Sequence, residues 1–224
     1  MKPMDEGHFA ILRRHMVEVI AIHADLMSEE LGMAALHERV LGVMLRVPRH
    51  LFVPVQLAPL AYQDTPLPIG FDKTISQPFI SALMADLLAP EPHEVILEIG
   101  TGLGYQTAVV AELAAQVWSV EIVEELANHA ELLLHRLGYS TVGILVGDGS
   151  RGWAEHAPYD KILVTAFAEH LPPALLEQLK PGGRIVLPMG PVDAQRLTVV
   201  DKDVAGNTRF QELIPVRFSR LETV

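Results

Sequence analysis

The sequence contains no cysteine. That excludes disulfides, cysteine-based zinc sites and a thiol nucleophile, and leaves the redox compartment open. Basic residues are few: 17 Lys and Arg stand against 28 Asp and Glu, for a net charge of −11. Nucleic-acid binding calls for clustered Lys and Arg, so no nucleic-acid partner is expected, although a local basic site is compatible with the total. No apolar run approaches the roughly 20 residues of a membrane span. The N-terminal MKPMDEGHFAILRR lacks the basic-then-apolar order of a secretory leader. The expectation is a cytoplasmic protein with no membrane partner. There is no internal repeat, no low-complexity tract and no Gly-Lys-Ser/Thr of a P-loop. The ten His include no HExxH and no paired ligand spacing, so no metal is expected. His50 and His170 are expected near strand-end loops and receive no role.

The chain has 224 residues, about half of them apolar. That suits one domain, or one domain with an added subdomain, around a sizeable core. Residues 8–47 read as helical, with Phe9, Leu12, Met16 and Val19 on one face and Leu36, Val40, Val43 and Val47 on another. LFVP (51–54) and TPLPIG (65–70) read as extended or turning backbone. Pro78 suits a first helical position, and Ile80, Leu83, Met84, Leu87 and Leu88 continue that helix to Ala89-Pro90.

From residue 94 the texture changes. Apolar strand-like runs at 94–100, 117–123, 143–147, 161–167 and 182–190 alternate with helical stretches at 105–115, 124–137 and 172–179. LTVVDKD (197–203) and ELIPVRF (212–218) suit a terminal hairpin. Strands alternating with helices predict an α/β fold, a mainly parallel sheet with helices on both faces. In such sheets ligands bind beyond the carboxyl ends of the strands, near the switch point.

EIGTGLG (98–104) stands where a strand should give way to a helix. Its glycines, Gly100, Gly102 and Gly104, are spaced G-x-G-x-G. A dinucleotide fingerprint needs its third glycine at 105, where Tyr105 stands. An acid, Glu98, precedes the loop. Glu121, at the next strand tip and 19 residues beyond Gly102, can accept from two ribose hydroxyls. Asp148-Gly149 ends a further strand, where an adenine ring would lie. Taken singly, each has a plain reading: a structural glycine turn, a solvated acid, an Asp-Gly turn. Together at three strand tips they point to a cofactor site, and the acidic lining suits a sulfonium or ammonium cation, favouring an S-adenosyl cofactor over NAD.

LPIGFDKTISQPFI (67–80) sets Thr74 and Ser76 just before the helix-opening Pro78, with no strong base beside them. Their plain reading is helix capping. Here the sequence carries a resemblance. LRVPRHLFVP (45–54), AYQDTPLPIG (61–70), KTISQPF (73–79), VILEIGTGLGYQTAVVA (95–111), GDGSRGW (147–153), APYDKILVTA (157–166) and LKPGGRIVLPMG (179–190) resemble the protein-L-isoaspartate O-methyltransferases, in family order and spacing from about residue 39 to about residue 218.

The resemblance implies a Rossmann-like, S-adenosylmethionine-dependent methyltransferase domain (79–224) behind an N-terminal helical cap and substrate-binding segment (1–78). It implies methylation of the free α-carboxylate of L-isoaspartyl residues in damaged proteins and peptides, which begins repair through a succinimide. An ionised carboxylate needs no base; it needs desolvation, alignment and charge stabilisation. Ser76 is then the active-site serine, not a nucleophile, since no adjacent base activates it. Thr74, Ser76, Gln77 and Arg217 are expected on the substrate. The free N–H groups and dipole of the helix at Gln77-Pro78 are expected to favour an anion. Thr74, Ser76, Glu98, Gly100, Thr101, Gly102, Leu103, Glu121, Asp148 and Gly149 are expected around the cofactor.

Departures from the family pattern are Asp72-Lys73, where Gly-Gln is common, and Ser219-Arg220-Leu221 after VRF. Lys73 either attracts the substrate or pairs with Asp72, and Arg217 is otherwise an exposed strand cation. Other readings are a methyltransferase for a different carboxylate, and a non-catalytic module binding the cofactor or damaged protein.

Overall fold

The computed structural model describes residues 4–224. The chain divides into two compact units, Met1–Asp86 and Leu87–Val224. Among the described residues no helix is long and apolar enough to cross a membrane.

The first unit opens with three helices: α1 Glu6–Leu26, α2 Ser28–Leu31 and α3 Glu38–Arg46. Asp5 starts α1 by accepting from the His8 N–H. The stretch 8–47 is thus not continuous helix, because Gly32, in the left-handed region at φ 66°, ends α2. Leu36, Val40, Val43 and Val47 are buried as their spacing predicts. On α1 the buried stripe is Phe9, Arg13, Met16, Ile20 and Ala24, so it is turned from the expected one and carries an arginine. Arg13 is tolerated there because its Nε donates to the Tyr62 hydroxyl (3.0 Å) and its Nη2 to Glu6 (2.7 Å). His50 stacks on Phe9 with ring centroids 3.9 Å apart, and its Nδ1 lies 2.8 Å from the same hydroxyl. His50 therefore lies buried in a helical turn, not in a strand-end loop.

Val47 is extended, as the residue before a proline prefers. Beyond it the LFVP segment turns at Leu51-Phe52 and is extended at Val53, within the expected extended or turning backbone. Arg49–Phe52 and Val55–Leu60 are 3₁₀ turns. β1 (Leu67–Gly70) and β2 (Lys73–Ile75) then form an antiparallel hairpin, with Pro68 opposite Thr74. Phe71 and Asp72 at its tip both have positive φ, at 53° and 54°. α4 runs Pro78–Leu88, and the division between the units falls inside it. It ends where Ala89 turns left-handed ahead of Pro90.

The second unit carries β3 (Val95–Ile99), α5 (Tyr105–Ala111), β4 (Gln116–Glu121), α6 (Glu124–Arg136), β5 (Val142–Val146), β6 (Tyr159–Val164), α7 (Pro173–Gln178), β7 (Leu179–Met189), β8 (Arg196–Lys202) and β9 (Thr208–Pro215). Its sheet has the order β5-β4-β3-β6-β7-β8-β9. β5 through β7 pair in parallel, while β8 and β9 are antiparallel additions forming the predicted hairpin. Leu97, Ile99, Ile162, Val164, Ile185 and Leu187 lie in one buried cluster of the sheet. The order reverses between β3 and β6, so a crevice opens at the carboxyl ends of these two strands. That is where the glycine loop leaves β3.

Candidate active site

Within the second unit the loop 100–104 is fixed by contacts to the two strands that flank β3, namely β4 and β6. Gly100 has φ 95°, and a Cβ there would stand 2.4 Å from Thr165 Oγ1. Only glycine meets both demands. The Thr165 hydroxyl, at the end of β6, lies 2.7 Å from the Gly100 carbonyl and 3.1 Å from that of Ile99. Glu121 ends β4; its Oε2 accepts from the Gly102 N–H (2.8 Å) and its Oε1 from the Val123 N–H (3.0 Å). Each of these oxygens keeps a second lone pair. Thr101 is buried, its hydroxyl 2.6 Å from that of Ser119.

Glu98 departs from the expectation that it would line the cofactor. It is wholly buried behind the loop, where its Oε2 accepts from Thr107 (2.5 Å) and Ser119 (2.6 Å). Its Oε1 has no partner among the described residues. A β-strand sends alternate side chains to opposite faces, and residue 98 falls on the side facing α5. Burial pushes this carboxyl up to about 7, against its two hydroxyl donors and with the Glu121 charge adding to the rise. Glu98 therefore reaches the loop only through Ser119 and Thr101.

Asp148 and Gly149 follow β5. A Cβ on Gly149 would lie 2.3 Å from Ile99 Cγ2, so the β5 turn can close onto β3 only with glycine. Asp148 Oδ1 accepts from the Ser150 N–H and hydroxyl, and Oδ2 from the Val224 N–H at 3.1 Å. Burial raises its pKa, but these donors and Arg151 outweigh that and hold it below the usual carboxylate range. Leu103 is half-buried in the loop. Arg217 is exposed just past β9, in a segment that Gln195 ties down through the Val216 and Phe218 N–H groups. No carboxylate among the described residues pairs with it, and it lies outside the strand expected to carry it.

Within the first unit the turn 76–79 is clamped from two sides. Arg49 is fully buried; its Nη2 donates to the Ser76 carbonyl (2.6 Å) and its Nε to the Ala61 carbonyl (2.7 Å). Asp64 Oδ1 accepts from the Phe79 N–H (2.8 Å), and its Oδ2 accepts from Gln77 Nε2 (3.1 Å) and lies 2.7 Å from His23 Nδ1. This corrects two readings. The anion at the start of α4 is the protein's own Asp64, so the Phe79 N–H is not open to a ligand, and the Gln77 amide is already engaged. Thr74 and Ser76 do not cap α4 either. Among the described residues neither hydroxyl has a partner.

Thr165, Ser119, Thr107, Asp64 and Arg49 were missed by sequence reasoning. A hydroxyl ending the apolar run KILVT next to the predicted switch strand was the signal available for Thr165. The others act across distances in the chain that no local pattern marks.

Comparison with known proteins gives one consistent result. A family model described as protein-L-isoaspartate(D-aspartate) O-methyltransferase matches residues 22–223. A relative from Polaromonas sp. (strain JS666 / ATCC BAA-500), protein-L-isoaspartate O-methyltransferase 1, is 52% identical over 219 residues, covering 98% of this chain and 93% of its own. A solved protein-L-isoaspartate O-methyltransferase superposes with a TM-score of 0.79 at 26% identity, covering 93% of this chain and 65% of that longer one. A Plasmodium falciparum structure in complex with S-adenosyl-L-homocysteine shares the fold, with a TM-score of 0.76 at 22% identity over 94% of this chain and 98% of that one.

Proposed function

The chain belongs to the protein-L-isoaspartate(D-aspartate) O-methyltransferase family, and from that premise we propose how its residues divide the work of methylating the free α-carboxylate of L-isoaspartyl residues in damaged cytoplasmic proteins and peptides. It is an S-adenosylmethionine-dependent enzyme, and the bound cofactor supplies an electrophilic methyl group on a sulfonium. The second unit holds this group. Gly100 and Gly149 leave room that a Cβ would fill, the remaining lone pairs of Glu121 accept ribose hydroxyls, and Asp148 faces the base. Thr101, Gly102 and Leu103 form the loop wall. These features fit an adenosyl ligand carrying a positive charge. Glu98 supports the loop from behind.

Residues 1–78, which lie within the first unit, hold the substrate. Ser76 donates its hydroxyl proton as a hydrogen bond to the substrate carboxylate, and Thr74 donates beside it. The carboxylate is its own nucleophile, so these residues move no proton. Their work is to replace water, orient one oxygen and hold it. Arg217 offers a positive charge to the peptide. The resulting methyl ester closes to a succinimide when the adjoining backbone nitrogen attacks it and methanol leaves, and hydrolysis of the ring returns part of the material as normal aspartate.

The observation that carries this reading is at α4. Asp64 already satisfies the N–H group at its start, which leaves the Thr74 and Ser76 hydroxyls for a ligand. The test is transfer of labelled methyl from S-adenosylmethionine to paired peptides, one with L-isoaspartate and one with L-aspartate. Base-labile label on the isoaspartyl peptide alone is expected. Label on both, or on neither, overturns the substrate assignment.

A further inference from the structure

Arg49 and Asp64 are given no direct part in the proposed chemistry, yet both converge on the turn that bears Ser76. We propose that these two residues are positioning residues for methyl transfer, and that they act through the backbone of residues 76–79. The inference rests on the reading that Ser76 meets the substrate carboxylate.

The geometry is one of opposed charges on opposite polarities of the same turn. The buried Arg49 guanidinium joins the Ser76 carbonyl to that of Ala61. The Asp64 carboxylate, 8% exposed, joins the Phe79 N–H to the Gln77 side chain. The peptide plane after Ser76 is held through its oxygen, and the backbone three residues on is held through its nitrogen. With both ends fixed, the Cα–Cβ direction of Ser76 is fixed too, and only the χ1 rotation of its hydroxyl remains. A catalytic donor must be aimed before the reaction to be effective, and a small displacement of such a group costs rate steeply. A buried ion with carbonyl partners is expensive to place where hydrophobic contact would serve. Here both ions converge on a turn of four residues.

Fork geometry matters for Arg49. One planar group bridges two carbonyls that a lysine ammonium cannot serve in the same way. Arg49→Lys therefore keeps charge and burial and loosens the turn. Asp64→Asn keeps shape and one acceptor and weakens the charge-assisted bond to Phe79.

The test measures kcat and KM on an isoaspartyl peptide, S-adenosylhomocysteine affinity by calorimetry, and melting temperature, for Arg49→Lys, Asp64→Asn, Ser76→Ala and each positioning variant combined with Ser76→Ala. Both single variants are expected to lose about tenfold or more in kcat, with S-adenosylhomocysteine affinity within about twofold of the parent. Combined with Ser76→Ala, neither is expected to lower kcat below that of Ser76→Ala alone, because a residue acting through Ser76 has nothing left to act on. A merely structural role would instead give losses that multiply. Wild-type kcat in folded Arg49→Lys or Asp64→Asn, or multiplying losses, overturns the inference. If Arg49→Lys does not fold, the Asp64→Asn cycle decides in the same way. If Ser76→Ala itself turns over normally, the reading of Ser76 falls and this inference with it. A slow Ser76→Ala beside normal positioning variants removes the inference alone.

Discussion

Glu121 holds the fold of the glycine loop, and the proposed reading gives the same side chain a ligand role. Its two oxygens accept from Gly102 and Val123 and thereby hold the glycine loop against the tip of β4. In the proposed reading the lone pairs left over take the ribose hydroxyls of the cofactor. Glu121→Ala removes both functions, so S-adenosylhomocysteine affinity should fall about tenfold to a hundredfold, read by calorimetry, given that bonds to a charged group contribute about 1.5–3 kcal/mol each. Unchanged affinity would take Glu121 out of the site. Ser76 is the opposite case, a side chain with no structural partner among the described residues. Ser76→Ala should therefore leave the melting temperature and S-adenosylhomocysteine affinity nearly as they were, while kcat falls by about tenfold to a hundredfold through loss of a hydrogen bond to a charged oxygen. Equal losses in kcat and affinity would contradict that role.

Helix α4 raises the question of how its start is satisfied. Pro78 has no N–H, and the Phe79 N–H finds Asp64 across the loop that carries the β1–β2 hairpin. Removing that acceptor by Asp64→Ala should cost about 1–2 kcal/mol, in the range of cap deletions, and lower the melting temperature by a few degrees in a scan. An unchanged melting temperature would show the N–H to be satisfied otherwise. The helix itself was legible, since Pro78 and the apolar stripe behind it are local signals. The cap was not, because a sequence window around the helix does not contain it. The same contrast runs through the chain. VILEI and KILV read as buried parallel strands because they are short apolar runs ended by turn residues. LFVP read as extended or turning backbone and is both, with Leu51 and Phe52 in a 3₁₀ turn and Val53 extended; where the turn falls was not legible, because a 3₁₀ turn has no period to detect and is set here by the contacts of Arg49 and His50. The acid before the glycine loop was legible in Glu98, but the face it occupies is fixed by strand parity and by hydroxyls on α5 and β4.

Acid–base linkage bears on the stability of the molecule through two buried groups that pull in opposite directions. Burial lowers the pKa of His50 from its ordinary 6.5, with Arg13 opposing its charge and Glu6 favouring it. The unfolded chain thus binds the extra proton, and the stability His50 contributes is present above 6.5 and fades as the pH falls below it. Glu98 does the reverse. Its folded pKa of about 7 stands above the ordinary 4.5, so the folded state holds a proton that the unfolded state has released. The stability from this neutral carboxyl is complete below about 4.5 and is lost as the pH rises through about 7. The shift corresponds to an effect of the order of 3 kcal/mol across that window. Glu98→Gln is neutral at every pH and keeps an oxygen for Thr107 and Ser119, so it isolates the Glu98 share from that of His50, which is common to both proteins. The melting temperature of Glu98→Gln relative to the parent should rise steadily between pH 5 and pH 8 and level off above it, in scans at matched ionic strength. A difference that stays flat across this range would mean that Glu98 ionises in the folded protein as it does in the unfolded chain, and that the Thr101–Ser119–Glu98–Thr107 chain carries a full negative charge behind the glycine loop at neutral pH.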